Sequence, residues 1–333
     1  MVDALARRVQ HGVFGYGVEP TDLRREVQAR MERLYGWQVE ADELMFLPGV
    51  VVGFNLVPVA LAREGEGVLI QPPVYHPFFA VQSNTGRVVH EAPLARRPDG
   101  SYEVDYDLFE RAITPDTRVF LLCNPHNPVG RVFTRPELER MAEICLRHDL
   151  IICSDEIHED FLFDGRAHTP IATLDPEVAA RTVTLFAPSK SYNIAGFHLA
   201  LAHVGSPELR TRLGAATLGL VPRSPGILDT VAGLAAYRYG GEWLDAAVSY
   251  LQANRDFLYD YVGRYLPGVR MWKPEGTYLA WLDCRDLGLD EQPGEFFLRE
   301  AKVGLNEGSM FGEETGKGFV RLNFGCPRTL LSE

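Results

Sequence analysis

The chain has 333 residues, 46% hydrophobic and 23% charged, with 33 Lys and Arg against 45 Asp and Glu for a net charge of −12. That length allows about two domains at ~150 residues each, and apolar residues run through the whole chain, which excludes an extended disordered protein. The acidic balance argues against non-specific binding to nucleic acid or an anionic membrane, both of which need a basic surface, but it leaves room for a local basic pocket.

The N-terminal stretch MVDALARRVQHG lacks the apolar core of a signal peptide. Thr21 to Tyr35 has helical spacing, with Leu23, Val27, Met31 and Leu34 expected on one face. The longest apolar run, Val50 to Ala62, carries Asn55 and Pro58 and is too short to cross a bilayer. With its flanks, Gly49 to Arg63, it reads as a helix buried all round. Gly67 to Gln71 reads as a short buried strand ended by Pro72 and Pro73. Arg118 to Cys123, Leu150 to Cys153, Thr182 to Phe186 and Leu199 to Val204 follow as further buried strands. Between them, Thr134 and Glu137 form a capping box that opens a helix running to about His148. Apolar strands alternating with helices indicate a mainly parallel sheet covered on both faces.

Beyond about Gly226 the texture changes to a long helical region reaching about Leu266, broken at Gly240 and Gly241. Thr277 to Leu282, a helix near Pro293 to Ala301, and Phe319 to Phe324 follow, and together they read as a smaller α+β unit. The five cysteines (Cys123, Cys145, Cys153, Cys284 and Cys326) are odd in number and show no C-x-x-C spacing. They are expected as reduced thiols in a cytoplasmic protein.

In an open α/β sheet, ligands bind beyond the carboxyl ends of the strands. Four polar clusters lie at such positions. Asn124-Pro125-His126-Asn127-Pro128-Val129-Gly130 follows one strand and by itself reads as a turn, or as a rigid support for an amide. Ser154-Asp155-Glu156-Ile157-His158 follows the next, where Asp155 reads as a helix cap or as a carboxylate held against a ligand cation. Pro188-Ser189-Lys190-Ser191 follows a third, where a Lys desolvated beside a buried strand can form a Schiff base. Pro48-Gly49-Val50-Val51 opens the apolar helix, and free N–H groups there form an anion site.

The order of these clusters resembles pyridoxal-phosphate enzymes of the aspartate-aminotransferase fold, the class I/II aminotransferase family of fold type I. The resemblance covers nearly the whole chain. It is nearer still to the MalY/PatB-type cystathionine β-lyase (C–S lyase) subgroup. It is carried by His11-Gly12-Val13-Phe14-Gly15-Tyr16, by N-P-H-N-P-V-G-R, by S-D-E-I-H-E-D followed by His168-Thr169-Pro170, by P-S-K-S-Y-N-I-A-G, and by Val320-Arg321-Leu322-Asn323-Phe324. It implies an α/β large domain with a mainly parallel seven-stranded sheet between helices, plus a smaller α+β C-terminal domain. The boundaries expected are an N-terminal segment 1–20, a cofactor domain 21–230 and a small domain 231–333.

The resemblance also implies roles. Lys190 would be the Schiff-base lysine of pyridoxal 5'-phosphate, with Asp155 on the pyridine nitrogen. Asn127 and His158 would face the ring hydroxyl oxygen, and Tyr75 would stack on the ring. The amides of Val50 and Val51 and the Ser189 hydroxyl would hold the phosphate. Tyr16 would reach the phosphate of a neighbouring subunit, which implies a homodimer, and Arg321 would grip the substrate carboxylate. Without the resemblance, Tyr75 reads as a core aromatic, His158 as a structural histidine, Tyr16 as surface packing and Arg321 as part of an ion pair. No metal is implied.

Two departures from the family pattern stand out. His198 lies where many aminotransferases carry a phosphate-binding Arg, and Ala187 replaces a hydroxyl residue. The chain is also expected to start and stop short of the family pattern. The missing Arg favours α,β-elimination on cystathionine or another S-substituted L-cysteine, giving thiol, pyruvate and ammonia. Transamination is the alternative, and a regulatory binding protein that keeps the fold is a third reading.

Overall fold

A computed structural model describes residues 1–222 and 224–333. Seven strands form the main sheet: β1 (Leu44–Leu47), β2 (Gly67–Ile70), β3 (Val88–Glu91), β4 (Thr117–Cys123), β5 (Ile151–Asp155), β6 (Thr182–Phe186) and β7 (Ala200–Val204). Their order across the sheet is β1-β7-β6-β5-β4-β2-β3. The pairs β3/β2, β2/β4, β4/β5 and β5/β6 are parallel. β7 runs antiparallel to both β6 and β1, so the sheet is mixed at this edge. The central strands are buried along most of their length, as expected where both faces are covered.

On one face lies helix α1 of this layer, Val50–Leu61, whose Phe54 and Val57 are fully buried against Leu121, Val183 and Leu185. It is not buried all round, because Val51 and Val59 are 43% and 39% exposed. On the opposite face lies α2 (Arg135–Arg147), opened by the Thr134/Glu137 capping box and packed through Leu138, Met141 and Ile144. The N-terminal helix Thr21–Tyr35 also differs from its expected face. Leu23, Val27 and Met31 are buried, but Leu34 is 45% exposed. The buried stripe turns through Arg30 instead, which is drawn inward by the carboxylates of Glu159 and Asp160.

The helical region after Gly226 is two helices, α3 (Ile227–Tyr239) and α4 (Gly241–Tyr265), divided at Gly240. Beyond them β8 (Arg270–Met271), β9 (Leu279–Asp283), β10 (Asn306–Glu307) and β11 (Phe319–Asn323) form a second sheet in the order β8-β9-β11-β10, antiparallel throughout. Its Ala280, Leu282 and Val320 pack with Leu258 and Val262 of α4.

Gly130 ties this second sheet to the main one. Its carbonyl accepts from the N–H groups of Glu275 and Gly276 at 2.8 and 3.0 Å. Its φ is +72°, and a Cβ there would lie 2.4 Å from Cβ of Pro274, so only glycine fits. The segment leading into β9 is thereby seated on the loop that carries Asn127. No helix among the described residues is long and apolar enough to cross a membrane. The five cysteines are free.

Candidate active site

Register brings the polar clusters together. Cys123 of β4 pairs with Asp155 of β5, and Asp155 pairs with Leu185 of β6. Three parallel strands therefore end side by side, and the segments that follow them share one edge of the sheet. Backbone bonds stitch this edge: Asn124 N–H donates to the Asp155 carbonyl at 3.0 Å, and Glu156 N–H donates to the Leu185 carbonyl at 2.8 Å.

Above this edge is a cavity of about 500 Å³. Its walls include Val50, Val51, Tyr75, Asn127, Asp155 and His158. Ser189, Lys190 and Arg321 complete the set. Nine of the ten residues singled out in the sequence thus line one space, although they run along most of the chain, from Val50 to Arg321. Tyr16 is the exception, with a fully exposed side chain that does not line this cavity.

Asp155 is 3% exposed, and one carboxylate oxygen accepts from Ile157 N–H at 3.2 Å. Among the described residues no cation forms an ion pair with it. Burial pushes its carboxyl up to about 7, against the opposing pull of the Ile157 N–H and the Lys190 charge. Such a carboxylate is poised for a cationic ligand atom. His158 is pushed down to about 3 by burial and then by Lys190 and Arg321, so its ring is neutral. Its Nδ1 is buried without a partner, and its ring meets Tyr278 edge-on at 5.6 Å.

At the opposite wall the α1 helix begins at Val50 with no side-chain cap. The first amide of this turn with a backbone acceptor is that of Gly53, which donates to the Gly49 carbonyl at 3.1 Å. Gly49, Val50, Val51 and Val52 at this helix start line the cavity, and aligned peptide dipoles favour negative charge at such an end. Ser189 and Lys190 lie in the short helix Pro188–Ser191 directly after β6. His198, which is exposed, lines the same cavity.

Arg321 projects from β11, its guanidinium carbon 4.7 Å from the Phe311 ring centroid. It donates to Asn127 Oδ1 at 3.0 Å and to Asn306 Oδ1 at 2.7 Å, and its Nε is buried without a partner. It meets no carboxylate among the described residues, so the structural ion-pair reading of Arg321 does not hold. Tyr75 packs edge-on to Phe54 and Phe78 at 6.4 and 6.2 Å, and burial followed by the Asp155 charge raises its hydroxyl pKa.

Two buried networks brace the Asp155–Asp160 turn from below. Glu156 accepts from Ser154 Oγ at 2.8 Å, meets His168 Nε2 at 2.7 Å and accepts from Ile171 N–H at 3.3 Å. Glu159 accepts from the Tyr35 hydroxyl at 3.0 Å and lies 3.6 Å from Arg30, which also pairs with Asp160. The motif S-D-E-I-H-E-D marks this turn in the sequence, but nothing in its spacing assigns the partners. Sequence reasoning also missed His76, Tyr278 and Asn323 on the cavity wall. His76 directly follows Tyr75. Tyr278 follows Thr277, a fully buried β-branched residue at φ +68°, a strained conformation of the kind that concentrates at functional sites.

The chain matches the family Aminotransferase class I and II over residues 3–333. It is 36% identical over 338 residues to cystathionine beta-lyase PatB of Bacillus subtilis (strain 168), covering 100% of this chain and 86% of that protein. The crystal structure of OvoB superposes with a TM-score of 0.94 at 43% identity, over 99% of this chain and 86% of that one. Cystalysin from Treponema denticola, whose crystal structure contains a pyridoxal 5'-phosphate cofactor, superposes with a TM-score of 0.96 at 31% identity, over 99% and 84% of the two chains. Fold, site geometry and full-length similarity agree, and the chain belongs to the class I and II aminotransferase family.

Proposed function

We propose that the protein is a pyridoxal-phosphate-dependent carbon–sulfur β-lyase acting on cystathionine or another S-substituted L-cysteine. The observation that carries this reading is the grouping around one cavity of Lys190, a buried Asp155 without an ion-pair partner among the described residues and an Arg321 without a carboxylate among them. The likeness to cystathionine beta-lyase PatB supports the lyase outcome over transamination.

The residues present fit the cofactor. Asp155 offers a buried anion to a pyridine N–H, and the uncapped start of α1 offers N–H donors to a phosphate. Neutral His158 carries an unpartnered ring nitrogen, and Asn127 shares the same wall. When bound, the cofactor supplies an aldehyde that takes up an amine and a ring that accepts the electron pair left at Cα. Lys190 would hold the cofactor's aldehyde, and its free Nζ would take up the Cα proton. Asp155 keeps the pyridine nitrogen protonated. Arg321 fixes the substrate carboxylate as a two-pronged donor and so sets which Cα bond points at Lys190. The thiolate would then leave Cβ, and water would hydrolyse the released enamine to pyruvate and ammonia.

Three further parts of the proposal go with this one. Tyr16, fully exposed in one chain, serves the phosphate site of a second copy in a homodimer. Residues 1–20, 21–230 and 231–333 act as an N-terminal segment, a cofactor domain and a small domain. The working compartment is the cytoplasm.

Adding the cofactor to the protein tests the chemistry. A visible absorbance band that is absent in Lys190→Ala, together with pyruvate released from cystathionine, supports the reading. Amino transfer that requires an added 2-oxo acid, with no pyruvate formed from cystathionine, sinks it. An active, cofactor-loaded monomer in sedimentation removes the homodimer.

A further inference from the structure

Among the described residues the buried arginines Arg30, Arg131 and Arg255 are held by carboxylates, and the half-buried Arg321 is held differently. Arg30 pairs with Asp160 and Glu159, Arg131 with Glu137 and Glu275, and Arg255 with Asp164 and Asp256. Burying a guanidinium without such a partner carries a large desolvation penalty, which is why these pairs exist. Arg321 is half-buried, and burial lowers its pKa below the ordinary value. Its two hydrogen-bond partners are both neutral amide oxygens, Asn127 Oδ1 and Asn306 Oδ1.

Asn306 is placed for this contact by the sheet. It lies on β10 directly opposite Arg321 of β11, an antiparallel pair on the open edge of the second sheet. The amide oxygen accepts from Nη2 at 2.7 Å, while Asn127 accepts from Nη1 at 3.0 Å and the guanidinium carbon lies over the Phe311 ring. Three contacts therefore fix the position and tilt of the planar group. A guanidinium carries five N–H donors, so two bonds leave three free, among them the buried Nε–H.

We infer that Asn306 is a positioning residue for the substrate carboxylate: it orients Arg321 through a neutral acceptor and so leaves its positive charge uncompensated. An aspartate would fit the same space and accept the same hydrogen bond, but it would neutralise the guanidinium and compete with the incoming carboxylate. Side-chain chemistry at position 306 thus separates two functions of a partner, holding and neutralising. The inference rests on the reading of Arg321 as the carboxylate grip.

The test compares Asn306→Asp, Asn306→Ala and the unaltered protein, each loaded with cofactor. Binding of L-alanine, which has a carboxylate but no leaving group, is measured by calorimetry, and KM and kcat are measured with cystathionine. The expected order is that Asn306→Asp weakens L-alanine binding by about 10-fold or more, and Asn306→Ala by only about 3-fold, because losing orientation costs less than losing the charge. KM follows the same order. A purely structural hydrogen bond gives the reverse order, with Asn306→Asp close to the unaltered protein and Asn306→Ala the weaker, and that result overturns the inference. The calorimetric order decides the inference by itself. A protein that shows this order but makes no pyruvate keeps the inference and loses the lyase reading.

Discussion

Arg321 of the second sheet donates a hydrogen bond to Asn127, on the loop that follows β4 of the main sheet, across 194 residues of chain at 3.0 Å. This bond joins the part of the site assigned to the cofactor to the part assigned to the substrate carboxylate. Neither residue can fill its role from one sheet alone. The docking of Gly130 against the Glu275-Gly276 segment, three positions after Asn127, holds the two sheets in the relation the bond requires.

Replacing Arg321 by Lys keeps the charge and loses the fork that reaches two acceptors at once. Hydrogen bonds to charged groups contribute ~1.5–3 kcal/mol, so kcat/KM with cystathionine is expected to fall roughly 10- to 100-fold. The cofactor absorbance band should persist. A variant with undiminished kcat/KM removes Arg321 from substrate binding.

Asp155 sets activity against stability. Its carboxyl is raised to about 7 by burial, so the folded cofactor-free protein holds a proton there that the unfolded chain releases near its ordinary value. The folded state then binds more protons across that window, and its stability falls as pH rises from about 4 to about 7. Asp155→Asn removes the buried charge. Near pH 8 the cofactor-free variant is expected to be more stable by roughly 2–4 kcal/mol and to melt higher, yet to be catalytically silent. Thermal melts of the cofactor-free proteins at acid and alkaline pH check this, and a variant that melts lower at alkaline pH contradicts it.

The Glu156–His168 contact makes a separate prediction. Burial lowers the His168 pKa, but the Glu156 charge and hydrogen bond outweigh burial and the net shift is upward. The contact therefore stabilises the fold below the ordinary histidine pKa, and its contribution is lost as pH rises through the raised folded value. His168→Phe strands a buried carboxylate and should cost roughly 3 kcal/mol near pH 6. Urea denaturation at about pH 6 and about pH 9 should show the difference shrinking at the higher pH.

Thr134→Ala removes the cap of the helix Arg135–Arg147, whose hydroxyl lies 2.8 Å from Glu137 Oε2. It should cost ~1 kcal/mol of stability and leave kcat and KM unchanged, because the cap does not touch the cavity. A loss of activity at equal stability contradicts that separation.

Much of this was legible in the sequence, for identifiable reasons. Strands such as Gly67–Ile70 (GVLI) declare themselves because a strand covered on both faces is apolar throughout, and Thr134 and Glu137 carry their own capping chemistry. The antiparallel course of Ala200–Val204 was not legible, since an apolar strand reads the same in either direction. Leu34 was placed on the buried face because apolar spacing cannot foresee an Arg30 drawn inward by carboxylates some 130 positions away. The strand-end residues Asn127, Asp155 and Lys190 could be placed from order alone. Asn306 could not, because its contact with Arg321 depends on the pairing of two strands in the second sheet.

The most direct test of the central claim is a mass balance on L-cystathionine with the cofactor-loaded protein and no added 2-oxo acid. Elimination predicts pyruvate, ammonia and the released thiol in equal amounts, all lost in Lys190→Ala. If pyruvate and free thiol stay absent while an added 2-oxo acid collects the amino group, the protein is an aminotransferase and the account of its chemistry is wrong.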